Sequence, residues 1–225
     1  MKSFGAYSRL AVVVCGLAIS VTESGLAVEG VDYQPLSLTA EAGTLGLGGS
    51  LSWRFSDHLG VRGGLNYFSY DHTDEVEGIN YDANLRLQSF PLGIDIYPSK
   101  SSSLRITVGV LLNQNKLSGS VPPGTTVDIN GTSYTTDLTM EAKQQELSPF
   151  VTIGGNIYFD SKKHVALGLE LGVAYTGSPD VTLTHSGPAN PALDADIEAE
   201  RAQIEKKAKD YKLYPIIKIG LTVSF

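Results

Sequence analysis

Six stretches of this chain alternate apolar and polar residues with a strict period of two, and they do so for longer than a soluble sheet requires. In one, Leu104, Ile106, Val108, Val110 and Leu112 share a face opposite Arg105, Thr107, Gly109 and Asn113, which is the periodicity of a β-strand. The run from Val165 places Val165, Leu167, Leu169, Leu171, Val173 and Tyr175 opposite Ala166, Gly168, Glu170, Gly172 and Ala174. The C-terminal run sets Ile217, Ile219, Leu221, Val223 and Phe225 against Lys218, Gly220, Thr222 and Ser224. Further matches begin at Leu45, Leu59 and Leu147. A seventh segment, from Ile79 to Tyr97, alternates but changes phase between Leu87 and Phe90. A β-bulge near Ser89 is expected there.

The solvent on the apolar side decides the fold. Strands of a soluble sandwich average about five or six residues and bury their apolar face against a second sheet. These run to about eleven, the length a tilted strand needs to cross a bilayer, and their other face carries Gly, Ser, Thr, Asn and isolated charges. Only a closed sheet spans lipid, because an open edge leaves backbone groups unpaired. The connections agree: short polar turns at Ser56-Asp57-His58, Pro98 to Ser103 and Asp160 to His164 alternate with long polar links at 71–78, 118–141 and 177–212. With a first strand at Val31 to Ala42 and a tight turn near Gly43-Thr44, the count is even. The expected fold is all-β: a transmembrane antiparallel up-and-down β-barrel of eight strands, with a helix in the last long loop.

The N-terminus reads as an export signal. Lys2 and Arg9 precede the apolar run Leu10 to Val21, and Gly25-Leu26-Ala27 supplies small residues for cleavage after Ala27. Residues 1–27 are therefore read as a signal peptide and 28–225 as one barrel domain. Removal of the signal takes away Cys15, the one cysteine, so no disulfide is expected. A net charge of −7 argues against a nucleic-acid surface, and no later apolar run reaches the length of a membrane helix.

Aromatic residues gather at both ends of the strands. Trp53, Phe55, Tyr97, Tyr158, Phe159 and Phe225 adjoin the short turns, and Tyr67, Tyr70, Tyr81, Tyr175, Tyr211 and Tyr214 lie toward the long links, as two interfacial girdles would. Together with the signal, the long alternating strands and the ending Ile217-x-Ile219-x-Leu221-x-Val223-x-Phe225, the chain resembles the small outer-membrane β-barrels of the OmpA, OmpX and OmpW type from Gram-negative bacteria. That resemblance implies location in the outer membrane, with lipid around the barrel. It also implies that the C-terminal strand and its terminal Phe are the signal read by the barrel-assembly machinery. The chain departs from the pattern in two ways: no peptidoglycan-binding domain follows Phe225, and Pro91, Pro149 and Pro215 fall inside strands, where they are expected to mark bulges or strand ends.

The inward positions gather Arg62, Arg86, Arg105 and Lys218 against Asp95 and Glu170, a lumen charge cluster that fits either an interlocked plug or a narrow selective constriction. Residues 193–209 are dense in helix formers, with acids first and lysines last. Leu193, Ile197, Ile204, Ala208 and Tyr211 give this helix a thin apolar stripe, suited to resting on its own barrel rim, capping the mouth or meeting a partner. Asn130-Gly131 between β-formers signals a hairpin, so strands are expected to continue past the membrane. His185-Ser186 is the nearest approach to a catalytic pair, without an acid identifiable in the sequence to orient the imidazole. No metal-ligand spacing occurs, and Gly46-Leu47-Gly48-Gly49 lacks the helix a nucleotide loop needs. The expectation is a noncatalytic barrel with no cofactor, serving envelope integrity or surface interaction through a partner the sequence does not identify. A small solute pore is the alternative, and a lipid-modifying enzyme a more distant one.

Overall fold

The computed structural model describes residues 35–76, 79–188 and 190–225; the expected signal peptide and the start of the first strand at Val31 lie outside them. Eight antiparallel strands close on themselves. They are β1 (Leu36–Gly43), β2 (Gly46–Arg54), β3 (Leu59–Val76), β4 (Ile79–Ile96), β5 (Arg105–Asn113), β10 (Leu147–Tyr158), β11 (Val165–Tyr175) and β13 (Leu213–Ser224). Each pairs with the next in that order, and the ring shuts where Ser37 to Gly43 of β1 run against Ser224 to Lys218 of β13. Closure leaves the barrel wall no free edge. β1 and β2 join through Thr44-Leu45, the tight turn read from the sequence, and Gly46 there takes φ +108°.

The period-two pattern fixes which way each strand faces. Leu38, Leu51, Leu65, Leu92, Val108, Ile153, Leu171 and Ile219 all lie outside and are about half exposed. An exposed apolar band of this extent exceeds what a monomer presents to water. Inside, small residues let the wall close tightly: a Cβ on Gly109 would stand 2.1 Å from the Leu92 carbonyl oxygen.

Beyond the belt, strands rise past the barrel on one side. β6 (Lys116–Val121), β9 (Leu138–Lys143) and β12 (Asp180–Thr184) prolong β5, β10 and β11 and pair in the order β4-β6-β9-β12. β7 (Thr126–Ile129) and β8 (Thr132–Thr135) form the hairpin expected at Asn130-Gly131, where positive φ values of 52° and 83° suit the two-residue turn. Helix α1 (Pro191–Ala208) is capped by Asn190, whose side chain accepts from the Ala192 and Leu193 N–H groups. The links at 71–78, 118–141 and 177–212 are thus largely structured, and the first is mostly strand.

The phase change in β4 is not a bulge. Leu59 pairs with Ile96, Asn66 with Ser89 and Val76 with Ile79 in one register. The ladder lapses opposite Phe90-Pro91, where Pro91 has no N–H to donate, and resumes unshifted. What changes is the apolar side. Above the belt Phe68, Tyr70, Leu85, Leu87 and Leu117 fall on the inner face, because the outer face there has left its apolar surroundings. Pro149 and Pro215 stand where a neighbouring ladder ends: β10 meets β11 from Phe150, and β1 meets β13 only to Lys218.

Candidate functional site: the barrel lumen

Five of the six charges assigned to the lumen meet at mid-barrel. Arg62 Nη2 lies 2.9 Å from Asp95 Oδ2, and Asp95 also accepts from Thr107 Oγ1 at 2.6 Å. Glu170 takes Arg105 at 3.0 Å, Lys218 at 3.3 Å and the Thr152 hydroxyl at 2.8 Å. All five side chains are less than one-tenth exposed.

Arg86 does not join them. It is exposed, on the outer face of β4 above the belt, in the register that makes Leu85 and Leu87 inward. Its place is taken by Glu41, which receives Lys218 Nζ at 3.4 Å and Ser50 Oγ at 3.2 Å. The cluster is therefore three cations and three carboxylates, neutral overall. Glu41 was legible: it shares phase with Ser37 and Thr39, opposite Leu38, Ala40 and Ala42.

Above the charges sits an apolar plug. Leu45, Leu111, Phe150, Ala174 and Ile216 pack together inside the barrel, with Tyr214 against them. The sequence pattern places Leu45 outside with its strand, but it belongs to the turn, folds inward and is 2% exposed. The signal for the rest is present in triplets such as Val110-Leu111-Leu112, where an inward position is apolar among outward apolar neighbours. Two pockets in the lumen measure about 30 Å³, near Arg54, Tyr97 and Tyr158, and about 10 Å³, beside Glu41 and Lys218. These are spaces on the scale of single waters.

The girdles are thinner than expected. Trp53, Phe55, Phe159 and Phe225 face outward at one end, and Tyr67 and Tyr175 at the other. Tyr97 and Tyr158 instead line the mouth of the lumen, with the Arg54 guanidinium 4.0 Å from the Tyr97 ring centre. Tyr214 turns inward and donates to the Thr44 carbonyl, Tyr70 lies on the inner face, and the Tyr81 side chain is outside the described structure.

The helix rests on the chain's own outer strands. Leu193 and Ile197 are buried against Ile129, with Val127, Tyr134, Leu138 and Leu183 around them. Ile204 and Ala208 are half-buried, while Tyr211 is 75% exposed, so only the first half of the stripe is used. Asp196 accepts from Asn130 Nδ2 at 3.0 Å and the Tyr134 hydroxyl at 2.6 Å, and these bonds hold its carboxyl below the usual range. The same contact raises the Tyr134 hydroxyl. His185 does have an acid, unforeseen in the sequence: its Nε2 lies 2.9 Å from Asp194 Oδ1 on the first turns of α1. Ser186, however, donates its hydroxyl to Asp137 at 2.5 Å, and that bond is what lowers the Asp137 carboxyl. The adjacent imidazole and hydroxyl are thus directed to different carboxylates.

The strand of the expected assembly signal is fully formed. Ile217, Ile219, Leu221, Val223 and Phe225 face outward and are 46%, 50%, 57%, 41% and 61% exposed, on the strand that seals the barrel.

Two solved structures share the fold. The chain superposes on CarO2 of Acinetobacter baumannii with a TM-score of 0.56 and 22% identity, covering 86% of this chain and 100% of that one. For CarO of Acinetobacter baumannii the values are 0.55 and 23%, covering 85% and 98%. A major outer membrane protein of Thermus thermophilus gives 0.43 and 14%, with 84% and 99% covered. No protein-family model matches the chain, and no curated protein sequence does.

Proposed function

We propose that the chain is an outer-membrane barrel closed to solutes, noncatalytic, and acting in envelope integrity or surface interaction. The observation that carries this reading is the lumen: a neutral belt of six interlocked charges beneath a packed apolar plug. Eight strands leave an interior just wide enough for side chains, and here those side chains fill it. The half-exposed apolar belt supports lipid as the surroundings, since water does not tolerate so large an apolar surface. An N-terminal export signal and the outward apolar C-terminal strand support delivery by the barrel-assembly machinery. The elaborated outer sheet, hairpin and helix are the surface such a protein would show to the exterior. The Ser186 hydroxyl, committed to Asp137, supports the noncatalytic reading.

Cell fractionation with heat-modifiable gel mobility tests location and closure, and planar bilayers test the lumen. The expected result is an outer-membrane barrel without open conductance steps. Stable steps altered by Arg105→Ala would establish a pore instead. Acyl release from labelled lipid, abolished by Ser186→Ala, would establish an enzyme.

A further inference from the structure

The barrel wall has no free edge, but the outer sheet does. Its strands run in the order β3-β4-β6-β9-β12. β2 leaves β3 after Leu47 pairs with Tyr67, while β3 continues against β4 to Val76. At the far side β12 is met by α1, whose Leu193 and Ile197 have Leu183 packed against them. From Phe68 to Thr73 every residue of β3 is exposed, and no described strand or helix lies along that side.

The backbone of this stretch has a direction. In an antiparallel ladder, successive residues turn their N–H and C=O groups to opposite sides. A Cβ on Gly48 or Gly46 of β2 would stand 2.0 Å from the Leu65 carbonyl oxygen or 2.8 Å from that of Tyr67, so the odd-numbered residues of β3 face β2. Gln88, opposite Tyr67, agrees, because its carbonyl accepts from Gln114 on the other side. The same parity sends the N–H and C=O groups of Ser69, Asp71 and Thr73 past the end of β2, where no described strand takes them.

Natural sheets blunt such edges with Pro, Lys, a bulge or a covering element. The run Phe68-Ser69-Tyr70-Asp71-His72-Thr73 contains neither Pro nor Lys, and its register with β4 is unshifted. Its two faces differ. Phe68, Tyr70 and His72 lie on the inner one, with the Tyr70 and His72 rings stacked 5.9 Å apart. Ser69, Asp71 and Thr73 lie on the outer one, backed across β4 by Arg86, Asn84 and Asp82, respectively. Asp71 is thus the charge that a neighbouring strand would meet directly.

We propose that this edge binds an extended segment of an exterior protein by strand addition. Apolar side chains of the segment lie beside Phe68, Tyr70 and His72, and hydroxyl and basic ones beside Ser69, Asp71 and Thr73. The inference deepens the surface-interaction reading above and rests on it. A second copy in the same membrane fits worse: its β3 rises in the same sense, so the two edges meet in parallel and cross at about twice a strand tilt of roughly 40°.

The test adds a short peptide alternating valine with threonine and lysine to the protein folded in a neutral maltoside micelle, with amide exchange as the readout. Ser69, Asp71 and Thr73 gain protection while barrel amides are unchanged. Directly opposed residues of an antiparallel pair share a face and a hydrogen-bonding side, so N-methylation of the threonines and lysines abolishes binding and N-methylation of the valines leaves it. Thr73→Pro removes one edge donor, spares the β4 ladder and weakens binding about fivefold. Asp71→Asn reduces the preference for lysine over glutamate in the peptide. Equal binding of the two methylated peptides, unchanged binding to Thr73→Pro, or protection at β12 instead would overturn the proposal. Self-association that protects the same amides without peptide would assign the edge to a second copy and overturn it too. Heat-modifiable mobility verifies that each variant is folded. A parent chain that fails that check sinks the membrane reading; one that passes and binds no peptide sinks only the edge.

Discussion

Replacing Glu170 by Gln probes the lumen at its most connected point. The carboxylate accepts from Arg105, Lys218 and Thr152 at 3.0, 3.3 and 2.8 Å, and all of these groups are buried. Gln keeps the shape and one acceptor oxygen, so the Thr152 bond survives, while Arg105 and Lys218 lose their shared countercharge. Breaking a buried pair from one side costs about 3–5 kcal/mol. Lys218 retains Glu41 at 3.4 Å, and Arg105 retains Asn156 at 3.4 Å, which places the cost near the lower end. With a urea slope of about 2 kcal/mol/M, a loss of about 3 kcal/mol lowers the unfolding midpoint by about 1.5 M. Protein refolded into lipid vesicles, with the folded fraction read from heat-modifiable mobility, supplies the curve. Adding Lys218→Met should recover part of the loss, because it returns the cluster to two cations against two carboxylates. A midpoint shift below about 0.25 M, or double-variant losses that simply add, would mean that these charges are solvated independently and that the lumen is wet.

Three further outcomes follow from the outer elements and the wall. Asp137 and Asp196 are held below the usual carboxylate range by Ser186 and by Asn130 with Tyr134, respectively. Their contribution to docking is therefore complete above the ordinary value of 3.8 and lost as pH falls through their lowered values; amide exchange in α1 should rise below that pH while barrel amides stay protected. Gly131→Val forces a β-branched residue to φ 83° and should destabilise the β7–β8 hairpin by about 1–2 kcal/mol, read as faster proteolysis between β6 and β9 without loss of heat-modifiable mobility. Gly109→Ala drives a Cβ into the Leu92 carbonyl inside the wall and should abolish the heat-modifiable form altogether, where Gly124→Ala, in open space although at φ 85°, leaves it in place.

The barrel was legible because one physical rule, alternation against an apolar exterior, acts on every strand independently. Leu104 to Asn113 and Val165 to Tyr175 declare both faces without reference to any partner. The lumen cluster followed from the same parity, and parity failed only where the surroundings change. Arg86 shares its strand with Asp95, but counting phase across Leu85 and Leu87 reverses its face, because above the belt apolar residues turn inward. Leu45 misled for a related reason: it continues the strand's phase in sequence but belongs to a turn that folds over the lumen. Asp194 and Asp137 were beyond reach, since the first meets His185 only after α1 docks and the second meets Ser186 from a strand end 49 residues away. Contacts made by loops carry no period to read.

The central claim is that lipid covers the outer face while side chains fill the inner one, and alternating spin labels along β5 test it most directly. Labels placed singly at Ile106, Val108 and Val110 of the protein in bilayers should collide freely with oxygen and poorly with a water-soluble nickel chelate. Labels at the inward positions Thr107 and Leu111, in variants that pass the heat-modifiable mobility check, should be shielded from both. Nickel access at the outward positions equal to or above that of oxygen, or free nickel access at the inward ones, would contradict the account.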